Sequence, residues 1–374
     1  MKGIGYWAKG AGPGIALLLV VGLSGCLRAV RRVAAEVSTP DVVVSGDPGR
    51  VPAGVREALA AAVRRGAKGV TAIVMRDGKE LFRLDVGRID ADAQYPVASA
   101  SKWMTAALVM TVVDEGGLSL DEPVSKHLPE FQGEKGRTTL RHLLAQTSGQ
   151  GSLKGRVDLR QDPRLTLAES AAEVARLPLE NPPGAVFAYG GPGFQVAGAL
   201  VEKVTGRRWS DLFQARIAGP LGMDRTFWEH PPGRVPSGQT SNPLLQGGVT
   251  TTARDYMRFL SMLAQGGVYA GHRVLSARAV SMMETAQTLG LPKGYVPPGI
   301  RADADPQYAL GNWCETWSAD GQGVMVSSPG ALGTYPWIDR KSGLCGIFFT
   351  KHRLPKVRDD FLKARAAILR GIDG

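Results

Sequence analysis

The chain has 374 residues, 44% of them hydrophobic, which is enough apolar matter for a sizeable core and excludes intrinsic disorder. Forty-five Lys and Arg against 34 Asp and Glu leave a formal charge of +11, but it is spread along the chain without a basic tract, which argues against a nucleic-acid partner. Three cysteines and five histidines, with no Cys-x-x-Cys or His-x-x-x-His spacing, offer no metal site, and no organic cofactor is implied.

Lys2 and Lys9 are the only charges before Arg28, and Ile15 to Val21 form an apolar run too short to span a bilayer of about 30 Å. This pattern reads as a signal peptide over residues 1–25. Leu23-Ser24-Gly25-Cys26 resembles the lipobox of bacterial lipoproteins. That resemblance implies an exported protein with a lipid on Cys26. Leu27, not aspartate, follows the cysteine, which implies anchoring at the periplasmic face of the outer membrane. An ordinary signal peptide or an N-terminal anchor is the alternative. Residues 26–50 are polar and mixed and read as a tether.

Helical spacing over Val55 to Arg65 ends at Gly66. Strands are expected at Gly69 to Met75 and Leu81 to Val86, with Asp77-Gly78 between them as a hairpin signal. Lys102 to Val113 is apolar all round, which predicts a helix buried within the protein. Residues 117–245 carry short helical patterns broken by glycine and proline, and Thr252 to Leu263 is helical again. Strand-like runs follow at Tyr308–Trp317, Gly323–Ser327, Gly333–Ile338 and Leu344–Thr350, then an amphipathic helix over Lys356 to Arg370. The order predicts an α+β domain at 51–374 with an antiparallel sheet flanked by helices and a helical insertion lobe. The α/β lobe takes about 51–98 and 246–374, the helical lobe about 99–245, with the site in the groove between them. Cys314 and Cys345 fall in strand-like segments of an exported chain. A disulfide between them across neighbouring strands would contribute roughly 3–4 kcal/mol; two buried thiols are the alternative.

Ser99-Ala100-Ser101-Lys102 is the chain's one Ser-x-x-Lys, at the mouth of the buried helix. Residues i and i+3 share a helix face, so the Lys102 amine can reach the Ser99 hydroxyl. An apolar helix body desolvates that amine towards a base, and the helix N-terminus supplies N–H groups for an oxyanion. Ser101 would point to a different helix face. Gly-x-Ser-x-Gly is absent, and no histidine pattern suggests a triad.

The segment Tyr95 to Lys102, the run from Val113 through Phe131, Arg141-His142-Leu143-Leu144-Ala145-Gln146-Thr147-Ser148-Gly149, and Gly247 to Leu263 together resemble the serine β-lactamase-related hydrolases. Within them the chain is most similar to the class C β-lactamase, D,D-peptidase and family VIII esterase group. The resemblance implies a serine β-lactamase-like, transpeptidase-like fold with Ser99 as nucleophile and Lys102 and Tyr189 as proton carriers. The tyrosine would act with its pKa lowered by a nearby lysine. It also implies an oxyanion hole from the N–H groups of Ser99 and Ala331, and substrate contacts near Gly191, Ser328 and Gly330. Two departures stand out: Gly191 replaces the asparagine of Tyr-x-Asn, and Ser328 carries no charge where relatives place Lys or His. Losing an amide-binding side chain and a carboxylate-binding cation favours a small ester as substrate. The alternatives are a D,D-peptidase or β-lactamase acting on cell-wall peptides or β-lactams, and a non-catalytic protein that binds peptidoglycan fragments.

Overall fold

The computed structural model describes residues 42–46 (as backbone), 51–89, 92–150, 162, 164–230, 239–300 and 305–372. Cys26, the expected signal peptide and most of the expected tether lie outside the described residues. Eight strands form one antiparallel sheet: β1 Val42–Gly46, β2 Gly69–Arg76, β3 Lys79–Gly87, β4 Gln307–Tyr308, β5 Trp313–Trp317, β6 Gly323–Ser327, β7 Tyr335–Asp339 and β8 Leu344–Phe349. Their order is β1-β3-β2-β8-β7-β6-β5-β4, so the two ends of the chain meet where β2 pairs with β8. The β2–β3 turn has positive φ at Asp77 and Gly78, as a tight hairpin requires.

The central strands are buried on both faces, and successive side chains join opposite cores. Ala72, Val74, Leu344 and Phe348 join one cluster, with Leu59 of helix α1 (Val55–Arg64) and Phe361 of the last helix, Leu354–Ile372. Ile73, Cys345, Ile347 and Phe349 join the cluster on the opposite face. That second cluster is continuous with the helical part, through α2 (Ser101–Asp114), α3 (Leu140–Leu144), α4 (Leu167–Arg176), α5 (Pro192–Thr205), α6 (Ala253–Ala264) and α7 (Ala277–Glu284). The last helix, Leu354–Ile372, is α8. Every residue of α2 from Ser101 to Val112 is buried, in line with its apolar circumference. Among the described residues no helix is long and apolar enough to cross a membrane.

Three expectations change. Val42–Gly46, read as tether, is a strand paired along β3; Val42-Val43-Val44 is a β-branched run suited to an edge. The run Tyr308–Trp317 is two strands, because the chain turns at Ala309–Asn312 with Gly311 at φ +81°. The disulfide between Cys314 and Cys345 does not form, and both are buried free thiols. They stand in one cross-strand row, Cys314–Val326–Ile338–Cys345, and so are three strand spacings apart. That is about 14 Å, twice the limit of about 7 Å for a bridge.

Candidate active site

Ser99 lies in a 3-10 turn, Ala98–Ala100, that leads into α2. The turn is fixed from several sides. Val97 N–H donates to Val249 O at 2.9 Å, and Tyr256 Oη donates to Ala100 O at 2.7 Å. Ser101 Oγ donates to Ala98 O at 2.7 Å and accepts the Val249 N–H at 3.0 Å. Ser101 is thus a structural residue, as its helix face implied. Ala98 sits at φ +47°, a left-handed conformation that is costly for a side-chain-bearing residue and persists only where surroundings hold it.

One helical turn on, Lys102 Nζ donates to Ser99 Oγ at 3.2 Å and to the Gln246 carbonyl at 2.7 Å. That carbonyl is held in place from both helices beneath it. Thr105 Oγ1 of α2 donates to Leu245 O at 2.6 Å, while Gln195 of α5 accepts the Leu245 N–H at 2.7 Å and donates to Pro243 O at 3.1 Å. Side-chain patterns do not announce a carbonyl ligand such as Gln246 O. Its only sequence signal is the Gly247-Gly248 pair behind it, which lets the backbone turn there.

Tyr189 follows the short strand Phe187–Ala188, which pairs with Lys293–Tyr295. Its ring stacks on Trp313 with centroids 5.5 Å apart, meets Tyr308 edge-on at 5.8 Å, and lies 4.8 Å from Lys102 Nζ. Its phenol has the Ser99 hydroxyl as a neighbour close enough to favour its ionised form. Serine, lysine and tyrosine therefore converge. The expected lowering of the tyrosine pKa is not what the surroundings produce: burial pushes it well up, and the neighbouring Ser99 hydroxyl offsets only part of that. Tyr189 rests as a phenol. Gly191, two residues on, is the N-cap of α5 and brings no side chain to the site.

The segment 328–334 connects β6 to β7, inside the sheet and not at its edge. Ser328 is buried, its hydroxyl 3.3 Å from Gly311 O and 3.5 Å from Ser99 O. It fastens this segment to the turn carrying Ser99 and is not open to solvent. Gly330 serves a similar purpose. A Cβ there would lie 2.0 Å from Val97 O, so the close approach it permits is to the protein's own backbone. Ala331 is exposed, and its N–H makes no hydrogen bond among the described residues. Three histidines take partners elsewhere: His142 Nδ1 accepts the Thr139 N–H in a helix cap, His127 meets Glu122, and His230 meets Asn242 O.

A hydroxyl, an amine and a phenol brought together where an antiparallel sheet meets a helical lobe define a serine hydrolase. The chain belongs to the β-lactamase family, whose pattern it matches over residues 55–370. It is 29% identical to esterase EstB of Burkholderia gladioli over 308 residues, covering 71% of this chain and 77% of that one. Among solved structures, a candidate β-lactamase from Bacteroides dorei is similar at TM-score 0.70 and 31% identity, covering 83% of this chain and 97% of that one. A D-stereospecific amidohydrolase from Streptomyces sp. is similar at TM-score 0.62 and 25% identity, with the same two coverages.

Proposed function

We propose that the protein hydrolyses small carboxylic esters through an acyl-enzyme on Ser99. The observation that carries this reading is the Ser99 hydroxyl 3.2 Å from the Lys102 amine, with the Tyr189 ring centre 4.8 Å from that same amine. Ser99 Oγ bonds to the ester carbonyl carbon and its proton passes to the Lys102 amine. The N–H groups of Ser99 and Ala331 hold the oxyanion. The Tyr189 phenol, kept protonated by burial, gives its proton to the departing alkoxide and recovers one from Lys102. Water then attacks the acyl carbon by the reverse proton path and frees Ser99.

The substrate class follows from what the site lacks. Gly191 offers no amide contact, and buried Ser328 offers no cation to a carboxylate. A neutral ester needs neither, and the likeness to an esterase points the same way. Export and anchoring through a lipid on Cys26 belong to the same proposal, and metabolic labelling with palmitate beside Cys26→Ser tests them. For the activity, the test is hydrolysis of p-nitrophenyl butyrate by the parent and its loss in Ser99→Ala; a Ser99→Ala protein as active as the parent overturns the reading. The likeness to an amidohydrolase supports a second reading, action on amides or β-lactams. A long-lived penicillin adduct on Ser99, seen by intact mass, would favour it.

A further inference from the structure

Gln146 follows α3 and stands in the left-handed region at φ +64°. A glutamine gains nothing from that conformation, which suits glycine or asparagine. It is buried, and among the described residues its Nε2 has no partner at full hydrogen-bond geometry, only the Tyr308 phenol as an electrostatic neighbour. Two local penalties thus coincide at one residue, and outliers of this kind cluster where surroundings hold a functional geometry.

Gln146 grips the residues on either side of Tyr189. Its carbonyl accepts the Ala188 N–H at 3.0 Å, and its side-chain Oε1 accepts the Gly190 N–H at 2.9 Å. The Tyr189 N–H donates the other way, to Tyr295 O at 2.9 Å. Three successive amides therefore bond to alternate sides, as in a strand within a sheet. On one side the neighbour is not a continuing strand. The left-handed turn carries the backbone away from Gly190, with Thr147 N–H bonded back to His142 O at 2.9 Å, and the Gln146 carboxamide completes the ladder in place of a peptide group. Asparagine would favour the backbone conformation but is one methylene short. Without this contact the Gly190 N–H has lost its acceptor, and the Tyr189–Gly191 link is free to rotate about the phenol's own residue.

We infer that Gln146 is a positioning residue for the Tyr189 phenol, holding it against Ser99 through the Gly190 N–H. The inference rests on the reading of Tyr189 as proton carrier. Gln146→Gly and Gln146→Met separate the role from mere packing. Glycine relieves the left-handed backbone and deletes the clamp, while methionine keeps side-chain length and deletes only the acceptor.

The expected result for both is a kcat for p-nitrophenyl butyrate about tenfold lower with KM within twofold of the parent, and faster amide exchange at Gly190. The Gln146→Gly melting temperature should stay at or above the parent's. Parental kcat in both variants, or loss of kcat that only follows loss of thermal stability in both, overturns the inference. Tyr189→Phe is measured beside them. If it too keeps the parental kcat, the proton-carrier reading falls and takes this inference with it; if it is inactive while both Gln146 variants are fully active, only this inference falls.

Discussion

At the scale of single residues, the phenol of Tyr189 is governed by burial, which outweighs the opposing influence of the Ser99 hydroxyl. Burial acts in the same direction on Tyr256, Tyr308 and Tyr335. An acid whose folded pKa is raised adds stability that is fully present below its unfolded value, about 10 for tyrosine, and lost as pH rises through the folded value. Absorbance at 295 nm in an alkaline titration should therefore show these four phenols ionising only together with unfolding; their smooth ionisation near pH 10 in the folded protein would count against the packing of Tyr189 and Tyr308 on Trp313, of Tyr256 on Phe259 and of Tyr335 on Phe361. Gly191 gives a second test. Its φ of −135° is ordinary for any residue, so Gly191→Asn carries no backbone strain. The substitution should raise turnover of a peptide amide or cephalosporin relative to p-nitrophenyl butyrate, and an unchanged ratio would remove Gly191 from the account of specificity. Ser99, Lys102 and Tyr189 were legible in the sequence because helix spacing and motif order act through side chains. Gln246 was not, since it acts through a carbonyl, and Gln146 was not, since its role depends on a left-handed turn.

At the scale of elements, the segment carrying Ala331 is held at both stems by one carboxylate. Glu315 on β5 accepts from Ser327 Oγ at 2.5 Å, where β6 ends, and from Tyr335 Oη at 2.7 Å, where β7 begins. Arg365 of α8 completes the grip with contacts of 2.6 and 3.2 Å. Burial alone would push the Glu315 carboxyl up, but the Arg365 charge and these hydrogen bonds together hold it below the usual carboxylate range. A depressed carboxyl adds stability that is present above its unfolded pKa of about 4.3 and lost as pH falls through the folded value. Glu315→Gln leaves a largely buried guanidinium without its counter-ion and should cost about 3 kcal/mol in denaturant unfolding at pH 7. Relative to the parent, its stability should fall less steeply below pH 4. Gly330→Ala is expected to be folded but at least tenfold less active on p-nitrophenyl butyrate, because its Cβ must push Val97 O, and with it the nucleophile turn, away from Ala331. Full activity in that variant would mean that the turn has slack the geometry does not suggest. The sequence disclosed these strands through short apolar runs and the Asp77-Gly78 turn. It did not disclose β1, whose place is decided by the free edge of β3, nor the break at Gly311. That glycine turns where a Cβ would stand 2.5 Å from Lys102 O, a contact between segments distant in the chain.

At the scale of the whole molecule, the sheet joins two cores, one under α1 and α8 and one reaching into the helical lobe, and no covalent brace links its strands. Cys314 and Cys345 belong to the second core. Burial pushes both thiols up to about 12, so neither offers a thiolate near neutral pH, and Cys314 Sγ is engaged with Glu284 O at 3.2 Å. A row of four residues across β5, β6, β7 and β8 keeps the sulfurs apart unless the sheet itself is dismantled. A Cys26→Ser protein, which removes the remaining thiol, should therefore take up no Ellman's reagent when folded and two equivalents in guanidinium. Its melting temperature should be the same with and without dithiothreitol, even when the protein is prepared under oxidising conditions. A midpoint that drops on reduction, or an intact mass two hydrogens short, would require a strand order in which the two cysteines are neighbours. That order would break the β6–β7 connection that holds Ser328 and Gly330 against the turn carrying Ser99, so the thiol count tests the architecture of the site as well as that of the sheet.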